Sequence, residues 1–94
     1  MKPIIFSQAS IFHLYRLGHV VTGITGKRYH LENPSEMHTL IRLCDRSKNK
    51  TIATQFDAFL STVDDNVFQQ MAQHGLLRDT LVLRANQEMQ RSIA

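Results

Sequence analysis

His30, Glu32, Glu36 and His38 form the densest group of metal-ligating side chains in the chain. A zinc centre needs three or four N, S or O donors converging at about 2.0–2.3 Å. His30 and Glu32 share a face if they lie on a strand, but Glu36 and His38 on a helix diverge by about 200°. The group therefore reads as solvated side chains, and neither a metal nor another cofactor is expected. His13 and His19, six apart across the end of a helix, give no ligand spacing. Cys44 falls on the apolar face of a helix, where a thiol behaves as a small buried hydrophobe rather than as an activated nucleophile in an open, polarised site. No nucleophile elbow frames a serine. Gly23-Ile24-Thr25-Gly26-Lys27 has two residues between its glycines, where a phosphate loop has four. The chain is not expected to be an enzyme.

Binding chemistry has more support, because charge is divided unevenly. Residues 1–50 carry eight Lys and Arg against three acidic residues, a balance of +5, whereas residues 51–94 carry three against five, a balance of −2. Lys27, Arg28, Arg42, Arg46, Lys48 and Lys50, with Tyr29 among them, are the expected binding surface. Such a surface steers an acidic partner, provided that the fold keeps the charges together. Scattered lysines do little, since screening acts over about 8 Å at physiological salt.

Length and composition bound the rest. Ninety-four residues suit one domain spanning 1–94, and 43% hydrophobic with 20% charged residues fits an ordinary folded core. The longest apolar runs are three residues, as in Ile4–Phe6 and Leu81–Leu83, too short to cross a membrane or to form a signal peptide. One cysteine excludes an internal disulfide framework. A small, soluble, cytoplasmic domain is expected.

The elements that position these residues are read from local signals. Pro3–Ser7 is an edge strand or a packed N-terminal arm. Ile11, Leu14 and Tyr15 stand at helical spacing before Gly18, which reads as a helix end. Val20, Val21, Thr22, Ile24 and Thr25 form a β-branched run that favours strand. With Gly26 following and Tyr29 and Leu31 alternating with Arg28 and His30, a β-hairpin turning at Gly26 is expected, with a bulge at Gly23. Asn33-Pro34-Ser35-Glu36 is a strong helix start, with Asn33 as cap, Pro34 in the first position and Glu36 closing a capping box. Met37, Leu40, Ile41 and Cys44 line its apolar face, and His38, Arg42 and Arg46 form one stripe at i, i+4 and i+8. A third helix carries Ile52, Phe56, Phe59, Leu60 and Val63 inward. A fourth starts at Asp64 or Asp65, carries Val67, Phe68 and Met71, and ends at Gly75 with Leu76 packing back. Residues 76–84 read equally as two short strands or as helix, and Ala85–Arg91 as helix.

The resulting fold expectation is α+β, with an N-terminal helix and a β-hairpin packed with three or four α-helices. Its core comprises Ile11, Leu14, Val21, Ile24, Leu31, Leu40, Ile41, Cys44, Phe56, Phe59, Leu60, Val67, Phe68, Met71 and Leu76. The functional expectation is a non-enzymatic binding or regulatory module that acts through its basic surface on a protein partner with an acidic surface, or that pairs as a homodimer to bury leftover apolar faces. The alternative is a nucleic-acid-binding regulator. Two helices followed by Gly75-Leu76-Leu77 and strands around Asp79-Thr80 resemble winged-helix regulators, which implies that Arg78 and Arg84 flank a wing. Asp64 and Asp65 then stand at the start of the recognition helix, where carboxylates repel phosphates.

Overall fold

Ser7, Asn33, Asn49 and Asp64 each begin a helix by the same local chemistry: a short polar side chain accepts a backbone N–H of the first turn, which otherwise has no partner. The Ser7 hydroxyl takes Ser10 N at 3.2 Å, the Asn33 carbonyl Ser35 N at 3.0 Å, the Asn49 carbonyl Thr51 N and Ile52 N at 2.9 and 3.1 Å, and Asp64 Val67 N at 2.8 Å. The computed structural model describes residues 4–93, with side chains to residue 86. Within them lie five helices: α1 Gln8–Thr25, α2 Pro34–Arg46, α3 Lys50–Leu60, α4 Asp65–Gln73 and α5 Arg78–Ile93. Helix α2 packs on α3 and α5, and α1 lies along α3.

Among the described residues there is no strand, so the α+β expectation and its β-hairpin are corrected to an all-helical fold. The β-branched run His19–Thr25 is the C-terminal half of α1. Strand propensity is a weak prior that burial overrides. Ser10, Leu14, Leu17 and Val21, spaced at four, three and four, are the buried residues of the helix, and Leu17 and Val21 are fully enclosed. Ending the helix at Gly18 would remove Val21 from that face. Gly18 is accommodated inside the helix, where a Cβ would meet only Leu40 Cδ2 at 3.7 Å and Leu31 Cδ1 at 4.0 Å. The chain stops instead at Gly26, whose φ of 77° is left-handed and whose N–H bonds Thr22 O. Residues 27–33 connect α1 to α2 without regular structure. Glu36 does not close a capping box: its Oε1 accepts the N–H of His30 at 3.4 Å.

The core is one cluster. Ten of the expected residues are buried in it, and Leu31, Val67 and Phe68 pack half-buried against it. Ile11 and Ile24 are 40% and 48% exposed, a correction that follows from the phase of the longer α1. Ile4, Phe6, Leu17, Ile52 and Leu77 complete the core. Ile4 and Phe6 arrive on an irregular N-terminal arm, and the Phe6 ring lies 5.7 Å from that of Phe59; Pro3 lies outside the described residues. The buried Ser10 hydroxyl donates to Thr62 O at 3.1 Å, tying α1 to the turn after α3.

Helix α4 ends as expected. Gly75 adopts φ 72°, and Leu76 N returns to Met71 O at 3.0 Å, the 6→1 bond of a Schellman ending. Residues 76–84, which read equally as strand or helix, resolve with Asp79-Thr80 in the first turn of α5, so the wing that the winged-helix alternative requires does not follow α4.

Candidate functional site

Thr39, Arg42, Leu43 and Arg46 recur at i, i+3, i+4 and i+7, which places them on one stripe of α2. That stripe forms one wall of a groove of about 620 Å³. The end of α1 supplies Ile24 and Thr25, and the α2–α3 junction supplies Ser47, Asn49 and Ile52. Local structure fixes this junction. Ser47 ends α2, and the Asn49 carboxamide is spent on the first amides of α3. Ile24, Leu43 and Ile52 give the groove an apolar lining beside two exposed guanidinium groups, and among the described residues that line it none is acidic. Lys48 and Lys50 are exposed on either side of Asn49. Asp45, on the same helix, is turned to α5, where it accepts Asp79 N and Thr80 N, each at 2.9 Å.

The expected binding surface is therefore divided. Arg42 and Arg46 both line the groove, whereas Lys48 and Lys50 are exposed sequence neighbours of its lining residue Asn49. Arg28 and Tyr29 line a separate cleft of about 310 Å³ against Tyr15, His19 and Glu32. Lys27 is exposed after the end of α1, and its ammonium stands 5.3 Å from the centre of the Tyr29 ring, within cation–π range.

The metal-type residues separate as well. His30 and Glu32 line the Tyr15 cleft, Glu36 bonds the His30 amide, and His38 lines a third cavity of about 530 Å³ with Ser35, Arg42, Gln73 and His74. Among the described residues no three His, Cys, Asp or Glu side chains group as metal ligands. The His38 and His74 rings are 5.6 Å apart. Burial, the neighbouring His74 and the Arg42 charge hold the His38 imidazole below its ordinary pKa of 6.5. Cys44 is buried in the core, and that burial pushes its thiol up to about 12, which removes the thiolate needed for nucleophilic chemistry at neutral pH.

Sequence reasoning missed the apolar lining and the His38–His74 pair. Leu43 carries a signal, because it shares the Thr39–Arg46 stripe; Ile24, expected in the core, instead lines the groove. Nothing in the spacing connects His38 with His74, 36 positions away.

Comparison with family models, with curated proteins and with solved structures gives no match for this chain. No described helix is long and apolar enough to cross a membrane.

Proposed function

We propose that this chain is a non-enzymatic binding module, whose groove between α1, α2 and α3 takes an acidic segment of a protein partner. The observation that carries the reading is the juxtaposition of Ile24, Leu43 and Ile52 with Arg42 and Arg46 in a groove lined, among the described residues, by no carboxylate. An apolar side chain of the partner supplies affinity by leaving water in a concave site. Carboxylates flanking it meet the two guanidinium groups, which can hold them bidentately. Lys48 and Lys50 add long-range attraction, which speeds encounter more than it strengthens the complex. The proposal keeps the cytoplasmic setting expected from a chain with a single thiol.

Nucleic acid is the weaker occupant. The cap Asp64 and the exposed α4 positions Asp65, Asn66, Gln69 and Gln73 bring no positive charge to a phosphate backbone.

Fluorescence anisotropy tests the reading with a labelled peptide in which Leu and Phe are flanked by Asp and Glu, beside the same peptide with Lys at the acidic positions. Binding of the acidic peptide, lost in Arg42→Glu/Arg46→Glu, is expected. Labelled duplex and single-stranded DNA are titrated in parallel at about 50 and 200 mM salt, the range over which phosphate contacts lose most affinity. DNA bound more tightly than the acidic peptide, or a peptide affinity indifferent to the charge reversal, overturns the proposal.

A further inference from the structure

The cavity between the start of α2 and the end of α4 has a donor set of its own. Ser35, His38 and Arg42 come from α2, and Gln73 and His74 from the end of α4. Every one of these side chains can donate a hydrogen bond, and none is a carboxylate. Among the described residues His38 Nε2 has no hydrogen-bond partner, and the His38 and His74 rings lie 5.6 Å apart at the cavity. Arg42 is anchored by one bond, Nη2 donating to His74 O at 3.3 Å, which leaves other N–H groups of its fork for a ligand. The acidic neighbours are engaged elsewhere: Glu36 on the His30 amide and Asp45 on α5.

We propose that Ser35, His38, Arg42, Gln73 and His74 form a binding site for a tetrahedral oxyanion, either phosphate or a phosphate monoester. A metal cation is the wrong occupant, because two imidazoles are fewer donors than a stable centre needs and the Arg42 charge repels it. A planar carboxylate offers fewer acceptor positions than the donors lining the cavity, whereas a phosphoryl group presents three strong acceptor oxygens and up to two negative charges. Burial, His74 and the Arg42 charge oppose protonation of the His38 imidazole while the cavity holds no anion; an anion in the cavity offsets that opposition. Oxyanion binding therefore takes up a proton, and affinity rises as pH falls. This site stands apart from the peptide groove, although Arg42 lines both, and its test needs no partner protein.

The test uses the full chain and histidine-selective NMR. Sulfate serves as the first probe, because it stays dianionic across the range and any pH dependence then belongs to the protein. Saturable shifts of the His38 and His74 ring signals are expected, with an affinity about threefold or more higher at pH 6 than at pH 7.5 from proton linkage. Inorganic phosphate and N-acetyl-phosphoserine amide are titrated next. Equal binding assigns the site to the free anion, tighter binding of the ester assigns it to a phosphorylated side chain, and either result upholds the oxyanion site. His74→Ala and Arg42→Met should each weaken sulfate at least about tenfold, the loss typical of one charge-assisted partner. Shifts that grow linearly without saturation, or an affinity unchanged in both variants, overturn the proposal. If one variant fails to fold, the other variant and the wild-type titration still decide it. Loss of sulfate binding leaves the peptide reading untouched, since Arg46→Glu tests that groove without altering this cavity.

Discussion

Asp45 caps a helix that begins more than thirty residues after it. Its Oδ2 accepts Asp79 N and its Oδ1 accepts Thr80 N, both at 2.9 Å, and Oδ1 also takes the Thr80 hydroxyl. An N-cap is ordinarily the residue just before its helix. Here α2 supplies it in trans, so the start of α5 depends on α2 being folded. The negative carboxylate also suits the positive end of the α5 dipole. Asp45→Ala is expected to cost about 1–3 kcal/mol, since it strands two amides and a hydroxyl, and Asp45→Asn about half as much. Urea unfolding measures the loss, and amide hydrogen exchange at Asp79 and Thr80 should accelerate more than exchange in α1. Unchanged protection at Thr80 would show that this cap does not hold α5.

Two glycines distinguish a long α1 from a hairpin. Gly23 lies inside the helix, and a Cβ there meets nothing within 4 Å. Gly23→Ala is expected to stabilise by about 0.5–1 kcal/mol by lowering the entropy of the unfolded chain and improving helix propensity. Gly26→Ala is expected to destabilise by about 1 kcal/mol, since φ 77° is costly for any residue with a Cβ. Thermal unfolding of the two variants gives the signs. A destabilising Gly23→Ala would contradict helix at that position.

The contrast between these glycines also explains which elements were legible. Asn33-Pro34, Asp64 and Gly75-Leu76 act through bonds within a few residues, so their sequences announce helix ends. The fate of His19–Thr25 is set by Leu17 and Val21 meeting the rest of the core, and no local signal carries that. One misplaced strand had further consequences. The expected surface grouped Lys27, Arg28 and Tyr29 with Arg42 and Arg46, whereas with the run folded as helix Arg28 and Tyr29 line the Tyr15 cleft. The Arg42–Arg46 half of the surface was legible because it depends only on helical spacing within α2. The trans cap from Asp45 was not, because sequence separation hides it, and without that cap Leu81–Leu83 reads as well for strand as for helix.

Cys44 gives a prediction in pH. With the folded thiol at about 12 against 9.0 for a free one, its thiolate fraction at pH 8 is lower by about a thousandfold. A disulfide reagent should leave native protein nearly unmodified at pH 8 and label it at once in urea. The folded pKa is the higher one, so the unfolded state loses its proton first. The stability attributable to the thiol is complete below pH 9 and declines above it by up to about 1.4 kcal/mol per pH unit. Cys44→Ala should flatten that decline relative to wild type. Rapid labelling of the native protein would mean that the α2 face opens readily to solvent.

Arg42 and Arg46 should separate when changed singly, because only Arg42 lines both the groove and the histidine cavity. Arg46→Ala removes one guanidinium from the groove and is expected to weaken an acidic peptide by about 1–2 kcal/mol while leaving the His38 titration as it was. Arg42→Ala should weaken the peptide comparably and also raise the His38 pKa, since the Arg42 charge is one of the causes that lower it. The sign carries into stability. A histidine whose folded pKa is depressed takes up its proton more readily when unfolded, so its contribution is whole above pH 6.5 and is lost as pH falls below that value. Removing Arg42 relieves part of that loss, and the difference in stability between wild type and Arg42→Ala should narrow from pH 7.5 to pH 5.5. Histidine NMR and urea unfolding across that range measure both effects. A His38 titration identical in the two single variants would mean that Arg42 does not act on the imidazole.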